Sequence, residues 1–283
     1  MFNLTDTELS EYIKSDLPYF DLTTYLLDSS NKKAKMEIFT REDTVVSCSE
    51  ESKRIAELLG CEVEFFIPSK QKAKKGEILL SFSGGYENVH QAWRASQVIM
   101  EYSCKIATYA NTMKKQINLV NPSCELLATR KSFPFAKRFC IKSIICGGAM
   151  PHRLGLSETV LLFPQHRIVF ENDKEFYKKI ENLKVKAPEK KIVVESDNFD
   201  DALNLINSGA DVLQMDKVDI QTLEKLIEYK NKNWSHIKIL ACGGINIANA
   251  KEYAATKIDG IVTSAIYFCG MGNIGSRMKI VNN

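Results

Sequence analysis

The first 85 residues alternate short apolar runs with polar breaks. KMEIFTREDTVVSC (35–48) and CEVEFFIPSKQKAKKGEILLSFSGG (61–85) carry strand-like alternation bounded by turn residues, and ESKRIAELLG (51–60) between them has helical spacing. A small α/β layer is predicted. From Tyr86 to about Leu119 apolar residues recur at helical spacing with no Pro or Gly, which predicts two helices or one broken long helix joining two domains. After Pro122 the pattern changes to short apolar runs separated by helical stretches, the signature of βαβ units and a parallel sheet. The runs are CELLATRK, ETVLLFPQH, KIVVESD, DVLQMDK, IKILACGG and GIVTSAI, and the last four end at Glu195, Asp216, Cys242 and Thr263, spaced 21 to 26 residues apart. So regular a (βα) repeat is too long and too uniform for a second small sandwich.

Polar residues gather at the ends of these runs: Thr129, Arg130 and Lys131, then His166, Glu195, Asp216, Gly243 with Gly244, and Thr263 with Ser264. In a barrel the strand C-termini converge on one mouth, so six segments supply one pocket. The competing reading is that each is an ordinary strand-to-loop transition. CGGI (242–245) before a helix, followed by VTSA (262–265), suits a phosphate cradle of backbone N–H groups. Glu195 and Asp216 suit a sugar hydroxyl or Mg²⁺, or else a structural ion pair with a nearby Lys or Arg.

Charge sharpens this picture. The chain has 283 residues, 38 basic against 35 acidic, so its net charge is only +3 and wholesale nucleic-acid binding is not indicated. Residues 129–153 nevertheless collect Arg130, Lys131, Lys137, Arg138, Lys142, His152 and Arg153 with no carboxylate before Glu158, which points to a bound anion. Arg130 and Arg153 suit bidentate contact with carboxylate or phosphate, and Lys131 a point contact. Lys137, Arg138 and Lys142 fall within a helix candidate, where a solvated face competes with any functional role. A phosphate cradle, two carboxylates and fixed cations suit transfer of a phosphorylated sugar from a diphosphate leaving group, since charges of both signs develop in that transition state. GxSxG, HExxH and P-loop motifs are absent. Eight scattered cysteines form no CxxC pair, no apolar run reaches the roughly 18 residues of a membrane span, and the N-terminus has no signal-peptide pattern. A cytoplasmic protein without membrane or nucleic-acid partners is expected.

TRK (129–131), Pro134, CGG (146–148) and HRLGL (152–156) together resemble the signature of the quinolinate phosphoribosyltransferase (nicotinate-nucleotide pyrophosphorylase) family. SDLPYFDLTT (15–24), WRAS (93–96), VES (194–196), LQMD (213–216) and CGGI extend the resemblance over nearly the whole chain. It implies an N-terminal α/β sandwich domain, residues 1–110, and an incomplete (β/α) barrel, residues 111–270, with 271–283 a candidate to return to the first domain. It further implies an obligate homodimer whose active site lies at the subunit interface, with Arg94 reaching across to the substrate carboxylate. Arg130, His152 and Arg153 would bind the heterocyclic acid. Lys131, Glu195 and Asp216 would contact the ribose, diphosphate and Mg²⁺ of phosphoribosyl pyrophosphate, and Gly243, Gly244 and Ser264 the 5-phosphate, with Thr263 a further substrate-binding candidate from its place in VTSA.

Where quinolinate enzymes of this family carry a Lys facing the substrate, LLFPQH places Phe163, and Ala149 and Pro151 also depart from the pattern. Loss of that ammonium removes a charge-assisted contact worth about 1.5–3 kcal/mol to a dicarboxylate. GGAMPHRLGLSETVLLFPQH resembles instead the ModD branch, pyrophosphorylases associated with molybdate transport. The expected activity is Mg²⁺-dependent phosphoribosyl transfer to a small anionic nitrogen heterocycle. Decarboxylating quinolinate phosphoribosyltransfer to nicotinate mononucleotide is the alternative, and a non-catalytic anion or nucleotide sensor a third reading.

Overall fold

The computed structural model describes residues 2–27 and 32–281. Along the chain come α1 (Asp6–Asp16), α2 (Leu22–Leu26), β1 (Lys33–Thr40), β2 (Thr44–Val45), α3 (Ser49–Leu58), β3 (Glu62–Phe66), β4 (Lys72–Ala73), β5 (Ile78–Gly85) and α4 (Tyr86–Asn118). There follow β6 (Glu125–Ala128), α5 (Lys137–Cys146), β7 (Met150–Pro151), β8 (Val160–Leu162), α6 (Pro164–Arg167), α7 (Asp173–Lys186), β9 (Ile192–Ser196), α8 (Phe199–Asn207) and β10 (Val212–Asp216). The chain ends through α9 (Ile220–Asn233), β11 (Lys238–Cys242), α10 (Ala250–Ala255), β12 (Gly260–Thr263) and β13 (Ile274–Val281). It divides into two compact units, residues 1–111 with 132–148 and 267–283, and residues 112–131 with 149–266. Among the described residues, no helix is long and apolar enough to cross a membrane.

α4 is one continuous helix of 33 residues, not two. The absence of Pro and Gly from Tyr86 to Asn118 leaves nothing to interrupt its hydrogen-bond ladder.

The first unit holds a four-stranded antiparallel sheet in the order β13-β1-β5-β3. β1 alternates as its sequence requires, with Ala34, Met36, Ile38 and Thr40 buried, and β13 pairs with it from Lys33↔Val281 to Thr40↔Ile274. Residues 132–148, which lie between β6 and β7 in the βα alternation, group with this unit. Two contacts explain that. Gly147 approaches α4 so closely that a Cβ there would lie 2.3 Å from the Ala107 carbonyl oxygen. Lys142, weighed as part of a solvated helix face, is only 1% exposed, with its ammonium 2.6 and 2.8 Å from the two Glu51 carboxylate oxygens, 3.0 Å from Glu50 and 2.9 Å from Asn3 Oδ1. Burial disfavours the ammonium, but Glu51 and Glu50 outweigh it and hold Lys142 above the ordinary lysine range. Lys137 and Arg138 are exposed; Arg138 pairs with Glu8 at 3.2 Å.

The second unit is a seven-stranded sheet in the order β7-β6-β12-β11-β10-β9-β8, and every neighbouring pair is parallel. β7 and β8 end the sheet without pairing to each other, so the barrel is incomplete. Its strands read as nearly continuous apolar runs because both faces are covered. Leu127, Val212, Leu240, Cys242 and Val262 pack together on one face of it.

Removing the Lys142 ammonium leaves Glu51 buried and uncompensated. Lys142→Met is expected to lower unfolding stability by about 3–5 kcal/mol, read by denaturant titration, and the Lys142→Met/Glu51→Leu double variant to recover most of the loss. A single variant as stable as the wild type would remove the ion pair from the account of why 132–148 docks here.

Candidate active site

Because the strands of the second unit are parallel, their C-terminal ends lie along one edge of the sheet. Ala128 ends β6, and Thr129, Arg130 and Lys131 follow it; Pro151 ends β7, and His152 and Arg153 follow; Leu162 ends β8 ahead of Phe163. Glu195 is the penultimate residue of β9, Asp216 the last of β10, Cys242 the last of β11 before Gly243, and Thr263 the last of β12 before Ser264. The structure therefore brings the sequence candidates of this unit to a single edge.

Register decides which of them share a face. Glu195 pairs directly with Gln214, and Asp216 with Cys242. Strand side chains alternate with a period of two, so Gln214 and Asp216 point the same way, above the apolar floor of Val212 and Leu240. Gln214 donates to Glu195 Oε2 at 2.7 Å, and the Cys242 thiol to Asp216 Oδ1 at 3.4 Å. Burial, then the nearby Asp216 charge, raises the Glu195 carboxyl above the ordinary range, against the Gln214 hydrogen bond and the fields of Lys131 and Lys217. Burial and the two carboxylates push the Cys242 thiol far up, so it stays a neutral donor. Gln214 was not singled out from the sequence, although its place two residues before Asp216 in LQMD was the available signal.

Among the described residues, no group of three or more His, Cys, Asp or Glu is arranged to hold a metal by itself. Glu195 Oε1 and Asp216 Oδ2 are left over from the two neutral hydrogen bonds. Two such oxygens fit a Mg²⁺ ion that takes its remaining ligands from water and a phosphorylated substrate.

Gly243 and Gly244 both lie at left-handed φ, +85° and +74°. A Cβ on Gly243 would fall 2.5 Å from Asp216 Oδ1 and 2.5 Å from Lys217 Cγ, so only glycine fits this turn beside the carboxylate. Thr263 is buried, and its hydroxyl donates to the Ile245 carbonyl at 2.6 Å and accepts from the Ala265 N–H at 3.0 Å. Those bonds tie the β12 end to the glycine loop, while Ser264 is half-exposed beside it.

The basic half is assembled from β6, β7 and β8. Among the described residues, Arg130, Lys131 and Arg153 form no ion pair with a carboxylate. Arg153 is 8% exposed, and burial together with the neighbouring Arg130 pulls it below the ordinary arginine range, with Glu158 opposing. Its guanidinium lies 5.9 Å from the centre of the Phe163 ring, which stacks on His166 at 5.8 Å and 19°. His166 Nδ1 accepts the Phe163 N–H at 2.9 Å, so this histidine holds Phe163 in place. Burial, then Arg153, lowers the half-buried His152 below the ordinary histidine range, and a neutral imidazole results.

Arg167, also missed in the sequence, fastens the β9 end from behind. It donates to both Asp201 carboxylate oxygens at 2.8 and 2.9 Å and to the Glu195 carbonyl at 2.9 Å, while Tyr177 and Ser196 donate to the same carboxylate. Arg94 lies in the first unit, exposed on α4, with its guanidinium 4.6 Å from the Trp93 ring centre.

Comparison with known proteins places this arrangement. Residues 21–104 match the N-terminal domain and residues 106–269 the C-terminal domain of quinolinate phosphoribosyl transferase. A protein of Rhodobacter capsulatus named "Putative pyrophosphorylase ModD" is 34% identical over 88% of this chain and 96% of its own. One of the same name from Pasteurella multocida is 29% identical over 97% of both chains. The solved nicotinate-nucleotide pyrophosphorylase of Francisella tularensis, 19% identical, shares the fold with a TM-score of 0.87 over 99% of this chain and 98% of that one. Two domain models that together span the sandwich and the half-barrel, and relatives aligned along nearly their full length, leave one conclusion: the chain belongs to the quinolinate phosphoribosyl transferase family of pentosyltransferases, on the ModD branch.

Proposed function

We propose that this enzyme is a Mg²⁺-dependent phosphoribosyltransferase of ModD type, moving ribose 5-phosphate from phosphoribosyl pyrophosphate to a ring nitrogen of a small anionic heterocycle. Diphosphate leaves. The observation that carries this reading is the division of one strand edge into two charged halves: the Glu195–Asp216 pair beside a glycine turn, and the Arg130–Arg153 pair without carboxylate partners beside Phe163. Two guanidiniums that repel each other are stabilised by an anion between them, which the acceptor supplies. The carboxylates face the positive charge that develops at the sugar carbon, and Lys131 and the Gly243–Gly244 N–H groups take phosphate oxygens. Glu195 Oε1 and Asp216 Oδ2 would hold Mg²⁺, which neutralises charge on the departing diphosphate.

Phe163 presents a ring face, so the acceptor is a planar ring stacked there with its anionic group toward Arg153 and Arg130. His152, neutral, is available as a hydrogen-bond partner for it. Quinolinate is the second reading; the paired guanidiniums suit two carboxylates, whereas Phe163 removes a cation from the second one. We further propose a homodimer in which Arg94 of one copy serves the acceptor site of the other. In its support, Tyr19, Phe20, Leu22, Tyr25, Leu26 and Leu27 form an exposed apolar segment of the size that marks an interface. The eight cysteines form no disulfide, which fits a reducing cytoplasm.

The first test incubates the protein with phosphoribosyl pyrophosphate, Mg²⁺ and quinolinate or a panel of heterocyclic monoacids, following diphosphate and CO₂. Diphosphate release with a monoacid, abolished by EDTA, is expected; no donor consumption with any acid would sink the proposal, and stoichiometric CO₂ from quinolinate would install the second reading. Phe163→Lys is expected to improve kcat/KM for quinolinate roughly 10- to 100-fold, the equivalent of one charge-assisted contact. An unchanged value would mean that residue 163 does not face the acceptor.

The acid limb of kcat/KM reports protonation of Glu195. Because its pKa is raised, that limb is expected above the ordinary glutamate range. Gln214→Leu, which removes a hydrogen bond to the ionised form, should move it to still higher pH. A limb left in place by that variant would assign it to another group.

A further inference from the structure

Lys217 stands out on this edge for its backbone. It is a non-glycine residue at φ +57°, immediately after Asp216, with its N–H donated to the Cys242 carbonyl at 2.9 Å. Glycine or asparagine would make the same turn with less strain, so the turn alone does not account for a lysine. Strained residues of this kind gather at ligand sites, where the surrounding structure holds them. The side chain is placed as deliberately as the main chain. Its Cγ occupies the space that a Cβ on Gly243 would need, at 2.5 Å, so the lysine stem lies across the glycine turn. Its ammonium is 3.9 Å from Asp216 Oδ2, beyond hydrogen-bond reach, and the side chain is 77% exposed. Its field reaches Glu195 together with that of Lys131. Two carboxylates are thus matched by two ammonium groups, neither bound closely to them.

We propose that Lys217 contacts a phosphoryl oxygen of the phosphoribosyl donor beside the Gly243–Gly244 turn. The inference rests on the donor reading proposed above and adds a residue to it. Loose pairing with Asp216 keeps the ammonium over the carboxylates while the site is empty, and the flexible stem lets it turn to a phosphate when one arrives. Either the 5-phosphate or the diphosphate presents the same chemistry.

The experiment titrates phosphoribosyl pyrophosphate, ribose 5-phosphate and inorganic diphosphate, each with Mg²⁺, into the wild type and into Lys217→Gln, Lys217→Arg and Lys217→Gly by calorimetry. Expected is a Kd for phosphoribosyl pyrophosphate raised roughly 10- to 100-fold in Lys217→Gln, with Lys217→Arg close to the wild type. Lys217→Gly relieves the backbone and keeps the fold, so a loss equal to that of Lys217→Gln ties the effect to the cation. A parallel loss for ribose 5-phosphate alone, or for diphosphate alone, identifies which phosphate is contacted. Equal donor affinity in wild type, Lys217→Gln and Lys217→Gly overturns the inference while leaving the donor site intact, as does a loss in Lys217→Arg as large as in Lys217→Gln. Failure of the wild type to bind any of the three overturns both.

Discussion

The site depends on parallel pairing in register. Seven strands running the same way deliver their C-terminal ends to one edge, and the β9–β10–β11 register then sets Glu195 against Gln214 and Asp216 against Cys242. A slip of one residue in β10 would send Gln214 and Asp216 to the opposite face and leave Glu195 without its donor. The apolar cluster of Leu127, Val212, Leu240 and Val262 favours that register, since the same slip would carry Val212 out of it to the opposite face. Packing below the site and chemistry above it are therefore one constraint.

The protein treats charge in two ways. Where a charge has a structural task it is paired with an opposite one: Lys142 with Glu50 and Glu51, and Arg167 with Asp201. At the strand edge the carboxylates receive neutral donors, an amide from Gln214 and a thiol from Cys242, and Arg130 lies near enough to Arg153 to disfavour its charge. Unpaired charge in a partly buried place is costly, and a ligand of opposite sign recovers that cost on binding. Burial, the largest cause in both, raises Glu195 and lowers Arg153, disfavouring the charged form of each.

Phe163 stands beside this basic group. Held by His166 and flanked by Arg153, its ring sets an apolar surface beside a cation. The Arg167 network reaches from the end of α6 to the Glu195 carbonyl, so the segment after β8 and the end of β9 are fastened to one another.

Much of this was legible in the chain. The change from alternating runs to short continuous ones after Pro122 gives the parallel sheet, and the polar residue closing each run gives the edge, because strand periodicity and chain direction are local properties. The motifs TRK, CGG and HRLGL carried the family. What the sequence left open depends on neighbours distant along the chain. A helical lysine at 142 reads as solvated until Glu50 and Glu51, some 90 residues earlier, are seen around it. Gln214 and Cys242 acquire meaning only when β9, β10 and β11 are laid side by side, Thr263 turns its hydroxyl to a carbonyl in another loop, and Lys217 takes its backbone from the glycine turn it leans on. Local order determines which residues stand at the ends of strands. Pairing between strands, which no local pattern encodes, decides which of them face one another and therefore which carry the chemistry.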